Sequence, residues 1–449
     1  MTWTYYPDLL ATPVPRYTSY PTAAEFSAAV GRPDMEQALA GVFADEPVSL
    51  YVHIPYCHQI CWYCGCNTGA ANKAGRLTAY LEALHSEIDT VSRALAGNGR
   101  IQRIAFGGGS PNAIEPEQFA KLLAHLRESF AADGALLSIE LDPRSLSGPW
   151  FDAIAAAGIT RASLGVQTLE PAVQAAIGRL QPLDLIRVAT DELRKAGVSS
   201  LNFDLMYGLP GQGLAELENT LRDATEMRPE RIALFGYAHV PHLIPRQRRI
   251  DDSVLPDSEL RFRQAELGHR LLTHANYDPL GFDHYAVAYD PLSLVARKGG
   301  LRRNFQGFTD DAAEVMVGLG ASAISQFPGL IVQNDKNAGR YRIKATSGLL
   351  TAEGGVTRTA EDRRRGRVIE RLLCDGETEI TGLFESGLRD RLAPFLERGL
   401  ATIECGKLRL PDYGRPYARV IASLFDTYRQ PALRRFSSAI WAGSLPLSA

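Results

Sequence analysis

Four cysteines fall within ten residues, in the spacing Cys57-x3-Cys61-x2-Cys64-x-Cys66, and they are the densest concentration of reactive groups in the chain. A disulfide framework would scatter cysteines through a small secreted chain. Crowded thiols in a long chain point instead to a metal or metal cluster. Zinc sites usually pair two Cys-x2-Cys turns, or set Cys pairs against His pairs, to close a tetrahedron. No second Cys or His group stands ready to close one here. Ferredoxin-type clusters take four thiolates at other spacings. Three thiolates on a [4Fe–4S] cluster would leave one iron free for a substrate. Zinc, or a loop of unrelated buried thiols, is the alternative. By spacing Cys66 is a poor ligand and reads as a packed thiol beside the others. Cys374 and Cys405 lie far away in amphipathic contexts and read as core residues.

A second group of residues follows the loop. Gly107-Gly108-Gly109-Ser110-Pro111 succeeds an apolar run. Three glycines let a backbone approach a ligand closely and offer peptide N–H groups, although a tight turn would use them equally well. Glu140 in SIELDP, Gln167 in LGVQ and Asp204 in NFDLMYGLP each sit near the end of an apolar, strand-like run. One acid in a strand is often a satisfied structural group. Three polar residues in successive strands imply a polar ligand between them. A carboxylate can accept both hydroxyls of a ribose, and a glutamine can bond a carboxylate or an adenine edge.

The elements that must position these residues are legible from periodicity. Strands are expected at Glu46–Pro55, Arg103–Phe106, Leu136–Leu141, Thr160–Val166, Ser200–Tyr207 and Arg231–Tyr237. Helices are expected at Leu77–Ala96, Pro116–Phe130, Pro182–Ala196 and Ala215–Met227. This alternation implies an α/β fold with a parallel, barrel-like sheet, whose chemistry gathers at the strand ends. Past residue 285 the pattern reads as mainly helical, with an arginine-rich stretch at Arg363–Arg371. Helix, hairpin and helix over 388–428 suggest a winged-helix-like module, a shape used for scaffolding as readily as for DNA. The expected division is an N-terminal extension over 1–45, a barrel over 46–290 and a mainly helical part over 291–449.

Composition narrows the class. The chain has 449 residues, 45% hydrophobic and 22% charged, and can bury a large core unaided. Its net charge of −3 gives no reason to expect a nucleic-acid partner. No run approaches the roughly 20 apolar residues of a membrane span, so no membrane partner is expected. The first residues lack a basic start followed by an apolar core, so the chain reads as cytoplasmic.

The Cys-x3-Cys-x2-Cys loop after a first strand, with an aromatic residue (Tyr63) before the third cysteine and a glycine-rich loop beyond, resembles the radical S-adenosylmethionine (SAM) superfamily. The family's fold is a partial (β/α)6 barrel. Its open iron binds SAM, and an electron from the cluster splits SAM into methionine and a 5′-deoxyadenosyl radical. RYTSYPTA from Arg16, YVHIP from Tyr51, SIELDPR, NFDLMYGLPGQ, GFDHYA, RNFQGFT, GASAIS and SLFDTY resemble one branch, the oxygen-independent coproporphyrinogen III oxidases. The likeness runs from about residue 14 to RRFSSAI near residue 440.

That resemblance implies an oxidoreductase of porphyrin and heme biosynthesis that turns two propionates of coproporphyrinogen III into vinyl groups without oxygen. It implies Cys57, Cys61 and Cys64 as [4Fe–4S] ligands and two SAM molecules per site. Tyr51, Gly108, Glu140, Ala238 and Ile324 match positions against the first SAM. Tyr63, Gly109, Ser110, Gln167, Arg179 and Asp204 match positions against the second. It further implies a monomer served by an electron donor and an acceptor that the sequence does not identify. A substrate with four propionates needs cations, for which Arg16, Arg246, Arg248, Arg249, Arg302 and Arg303 are candidates, and His284 is a functional or a structural histidine. Ser110 replaces the usual Thr, Gly236 stands where Asn is expected and Phe308 where Tyr is usual. A heme-binding or heme-delivery homologue, or a radical SAM methyltransferase acting on another tetrapyrrole, are the alternative readings.

Overall fold

The computed structural model describes residues 2–71, 74–383 and 387–429. The RRFSSAI segment lies outside them. Twelve strands form one sheet. Six run in parallel and in chain order: β1 (Pro47–Ile54), β2 (Arg100–Gly108), β3 (Leu136–Leu141), β4 (Arg161–Gln167), β5 (Ser200–Tyr207) and β6 (Arg231–Gly236). Helices connect them, notably α1 (Ala74–Leu95), α2 (Pro116–Phe130), α3 (Gly148–Ala157), α4 (Leu183–Lys195) and α5 (Leu214–Glu226). After α6 (Ser258–His274), the strands β7 (Tyr277–Leu280) and β8 (His284–Val287) extend the β6 edge in antiparallel fashion.

The strands put polar groups on one face because their sequences alternate. In β3, Leu137, Ile139 and Leu141 are buried, as are Ala162, Leu164 and Val166 in β4 and Leu201, Phe203 and Leu205 in β5. All nine join the apolar layer that also buries helix residues such as Phe119, Ile154 and Leu193. The opposite face carries Ser138 and Glu140, Arg161 and Ser163, and Asn202 and Asp204. Register then sets Glu140 opposite Ser163, and Gly165 opposite Asp204.

The expectation of a mainly helical stretch after residue 290 misses four strands. β9 (Val315–Leu319), β10 (Ile324–Phe327), β11 (Leu330–Asn334) and β12 (Ala352–Thr357) continue the sheet, with β9 parallel to β1. β9 is buried along its whole length and so shows no alternation. What makes it a strand is the open edge of β1, which local sequence does not reveal. Helices do occupy α7 (Ala338–Thr346), α8 (Ala360–Asp375) and α9 (Leu388–Glu397). The module over 388–428 appears as α9, a small hairpin at Thr402–Glu404 and Lys407–Arg409, and a short helix at Ala418–Ala422.

The N-terminal segment ties the two halves together. Leu10, Val14, Tyr17 and Tyr20 share one apolar cluster with Leu372 of α8 and Phe262 of α6. Arg419 donates to the carbonyls of Val14 and Pro15. The Tyr17 hydroxyl donates to Asp426 at 2.9 Å.

Candidate active site

A cavity of about 480 Å3 opens at the carboxyl ends of the parallel strands. Cys57, Cys61 and Cys64 line it together with Cys66. Among the described residues no three His, Cys, Asp or Glu groups close on a point as a single ion requires. Burial and the neighbouring Cys64 push the Cys57 thiol up to about 12. Hydrogen bonding from Cys66, whose backbone N–H lies 3.4 Å from the Cys64 sulfur, draws the Cys64 thiol down to about 6.

Cations surround the most buried thiol. The Cys61 sulfur accepts from Arg179 at 3.2 Å and from Arg144 at 3.3 Å. Both guanidiniums also grip Asp142, at 3.2 Å from Arg179 and 2.6 Å from Arg144. Against its burial, these two arginines hold the Asp142 carboxyl below the usual range. Arg179 completes its set on the Gly165 carbonyl and Gln181. It is thus a fixed positive charge beside a thiol that a metal cluster needs as thiolate. Sequence reasoning named Arg179 but missed Asp142 and Arg144. The signal was present in SIELDPR, where both residues directly follow the Glu140 strand.

The glycine run forms the wall facing the thiols. A Cβ at Gly107 would stand 2.6 Å from the Glu140 carboxylate, and one at Gly109 would stand 2.5 Å from the Tyr56 carbonyl. Gly108 has a φ of 112° and donates its N–H to Glu140 at 3.3 Å. Ser110 falls behind this wall. Its hydroxyl donates to Asn112, which bonds the Asp142 backbone on both sides at 3.0 and 2.9 Å. Ser110 thus supports the Asp142 turn and does not line the cavity.

Glu140, Gln167, Arg179 and Asp204 all line the cavity, as do Tyr63, Gly108, Gly109 and Ala238. Burial and the charge of Asp204 raise the Glu140 carboxyl to about 7. Burial also raises Asp204, although Ser163 and Asn202 donate to it at 2.8 and 2.9 Å. Gln167 sits at a bulge between Gly165 and β5 with φ 65°, which turns its side chain toward the cavity. Tyr51 and Ile324 lie outside the lining. The Tyr51 hydroxyl is 3.2 Å from His53 Nδ1 and its ring meets Phe305 edge-on at 4.5 Å. Ile324 opens β10, its backbone against Gly318.

The candidate arginines divide. Arg16 lines the cavity, donates to the Gly236 carbonyl at 3.3 Å and lies over the Phe235 ring. Arg246 braces the cysteine loop through Thr68 and the Cys66 carbonyl. Arg249 stacks on Trp62, and Arg248 is exposed. Arg302 is paired with Glu370 at 2.9 Å, and Arg303 lies over Phe282 and Phe308. His284 bonds Asp283 at 2.7 Å and meets Phe308 and Phe235 edge-on. The tip of the Phe308 ring fills the notch at Gly281, where a Cβ would stand 2.0 Å from it. A tyrosine hydroxyl would press on that backbone, which accounts for Phe at this position.

Deeper on the same polar face, a cavity of about 170 Å3 shares Glu140, Ser163 and Asp204 with the first and reaches Asp310. Asp310 takes Arg161 in both prongs, at 2.7 and 2.8 Å, and Arg103 at 2.8 Å.

Residues 51–224 match the model of the radical SAM superfamily. The oxygen-independent coproporphyrinogen III oxidase of Paracoccus denitrificans is 39% identical over 428 residues, 93% of this chain and 95% of that protein. The protein of the same name from Escherichia coli is 35% identical over 441 residues, 95% of this chain and 96% of its own length. The solved structure of the Escherichia coli coproporphyrinogen III oxidase (HemN), described as a radical SAM enzyme, superposes with a TM-score of 0.89. It covers 96% of this chain and all of its own at 33% identity.

Proposed function

Because this chain belongs to the oxygen-independent coproporphyrinogen III oxidase family of radical SAM enzymes, we propose that it converts coproporphyrinogen III to protoporphyrinogen IX without oxygen. The observation that carries this reading is the meeting, in one cavity, of three thiols, a glycine wall and two carboxyls that burial raises above their ordinary values. Cys57, Cys61 and Cys64 would hold a [4Fe–4S] cluster, leaving one iron for SAM. When bound, the cluster and SAM supply a one-electron cleavage whose deoxyadenosyl radical removes hydrogen from a propionate β-carbon. Loss of CO2 and one electron then leaves a vinyl group, and two rounds complete the reaction.

The chain's own groups position and enclose. Arg144 and Arg179 donate to the Cys61 sulfur and hold the Asp142 turn that backs it. Gly108 and Gly109 bring bare backbone to the cavity wall, packed from behind by His53 and the Tyr56 backbone, where a Cβ would not fit. Glu140 and Asp204 accept ribose hydroxyls when ionised. Tyr51, Gly108, Glu140, Ala238 and Ile324 are assigned to the cluster-bound SAM. Tyr63, Gly109, Ser110, Gln167, Arg179 and Asp204 are assigned to a second. For Tyr51, Ile324 and Ser110 these roles pass through backbone or neighbouring groups, since none lines the cavity.

Arg16 is the cation best placed for a propionate. It is carried by the 1–45 extension, which covers the 46–290 barrel with help from 291–449. The enzyme acts as a cytoplasmic monomer with a separate electron donor and acceptor. No helix among the described residues is long and apolar enough to cross a membrane.

The deciding experiment is an anaerobic assay of the cluster-reconstituted protein with coproporphyrinogen III, SAM and a strong reductant. Protoporphyrin fluorescence after oxidation should rise together with 5′-deoxyadenosine and methionine, and Cys61→Ser should abolish all three. SAM cleavage without vinyl product would leave the cofactor chemistry and refute the substrate.

A further inference from the structure

A second large cavity, of about 450 Å3, lies between the N-terminal turn at Tyr17–Tyr20, Gln326 of β10 with Pro328 in the turn after it, and one face of α8. Six guanidiniums line it, from Arg302, Arg303, Arg358, Arg363, Arg367 and Arg371, against two carboxylates, Glu314 and Glu370. This concentration is local, because the whole chain carries a net charge of −3. Arg363, Arg367 and Arg371 repeat every four residues along α8, a spacing at which like charges repel and destabilise a helix.

Internal partners account for part of this charge. Glu370 bonds Arg302 at 2.9 Å and the Arg303 backbone N–H at 3.0 Å. Arg371 donates to the carbonyls of Gly299 and Leu301 and to Asp375. The remainder is less well matched. Arg303 Nη1 and Arg358 Nε are buried and have no hydrogen-bond partner among the described residues. Arg363 reaches only a further backbone carbonyl, that of Arg358, at 3.2 Å. Burial lowers both Arg303 and Arg358, and the charge of Arg363 adds to the effect on Arg358. Cations held together this way gain most from a ligand that carries several negative charges. The planar guanidinium fork fits the two oxygens of a carboxylate or phosphate.

We propose that this cavity binds a compact small-molecule polyanion, one with two or more carboxylate or phosphate groups, at a site separate from the thiol cavity. Its volume falls in the range of roughly 300–1,000 Å3 usual for small-molecule sites. The site touches the catalytic cavity through one chain of contacts. Arg303 Nε donates to the Arg16 carbonyl at 3.3 Å, and the Arg16 side chain lines the thiol cavity. A polyanion on Arg303 therefore steadies the turn that carries Arg16.

The test is calorimetric titration of the full-length, cluster-loaded protein with citrate and, separately, with pyrophosphate at fixed ionic strength. One saturable site with a dissociation constant below about 1 mM is expected for at least one probe. The tighter probe tells whether carboxylate or phosphate is the natural group. Arg358→Gln combined with Arg363→Gln should weaken binding at least about tenfold, with the cluster absorbance unchanged. If that pair does not fold, Arg367→Gln, on the exposed side of α8, serves instead and should weaken binding about threefold. No saturable binding of either probe, or undiminished binding by the folded variant, overturns the proposal. None of these readings depends on turnover, so they stand apart from the decarboxylase reaction.

Discussion

Replacing Glu140 by Gln separates the stability of this fold from its capacity to bind SAM. Burial and Asp204 raise the Glu140 carboxyl from 4.5 to about 7. A carboxyl whose folded value is raised favours the fold only while protonated. Its contribution is intact below the unfolded value and is lost as pH climbs from about 4.5 to about 7. Linkage over that interval gives a cost of about 0.8 kcal/mol at pH 5 and about 3.3 kcal/mol at pH 8. Glu140 stands partly open in the cavity wall, so solvent screening reduces the pH 8 cost to about 1–2 kcal/mol.

Glu140→Gln removes the charge, keeps an acceptor for the Gly108 N–H, and should stabilise the cluster-free protein by that amount at pH 8 and hardly at all at pH 5. Denaturant titrations at the two pH values read the difference. SAM binding should move the opposite way. If the ionised carboxylate accepts the ribose hydroxyls, wild-type affinity should rise about tenfold from pH 6 to pH 8, following the ionised fraction. Glu140→Gln should remove most of that rise and leave the titrations of Asp204 and of SAM itself. An equal stability gain at both pH values, or a pH slope of SAM affinity identical in the variant, would refute the assignment.

Other perturbations test the rest of the site. Cys57→Ser, Cys61→Ser and Cys64→Ser should each abolish the visible absorbance of the reconstituted cluster while far-ultraviolet circular dichroism stays unchanged. Cys374→Ser should leave that absorbance intact. Arg179→Met leaves Asp142 and Cys61 with Arg144 alone and removes the donor of the Gly165 carbonyl and of Gln181, so a loss of about 3 kcal/mol in denaturant stability is expected, with a less stable cluster. Gly109→Ala drives a methyl onto the Tyr56 backbone at 2.5 Å. Anaerobic equilibrium dialysis should show SAM affinity reduced at least about tenfold. Phe308→Tyr forces a hydroxyl against Gly281 and should cost about 1–3 kcal/mol, measured as a lower thermal midpoint.

Much of the catalytic frame is legible because alternation and punctuation both act locally. Leu136–Leu141 and Ser200–Tyr207 begin and end where their apolar–polar alternation does. α2 runs from Pro116 to Phe130, opened by Glu115 paired with Gln118 and closed at Ala131 in the left-handed conformation. Once these strands are parallel, Glu140 and Asp204 must share a face, and the glycine run must border them. The rest depends on contacts that no window of sequence contains. β9 is a strand because β1 offers it an edge. Ser110 seemed to face a ligand, but its hydroxyl is taken by Asn112, a partner fixed only when the Asp142 turn folds back. The grouping of Asp142, Arg144, Arg179 and Cys61 spans 118 residues between its outer pair and closes only in three dimensions.

The carboxylates of the barrel show how one polar face serves two purposes. Against their burial, Asp142 and Asp310 are held below the usual range, each by two arginines. They are ionised and occupied, Asp142 behind Cys61 and Asp310 across the bottom of the barrel. Glu140 and Asp204 lie on the same face, partly open in the cavity wall, but among the described residues no arginine bonds them, and both are raised. Desolvation makes unpaired carboxylates costly, so their presence here has to be offset by something other than stability. The cavity they line also contains the three thiols and the Gly108–Gly109 backbone. The paired acids thus serve the scaffold, and we propose the unpaired pair in the cavity for the ligand. A substitution that pairs Glu140 internally, such as Ser163→Arg, should stabilise the protein while abolishing SAM binding. Retained SAM affinity in that variant would mean that the unpaired acids have been assigned to the wrong task.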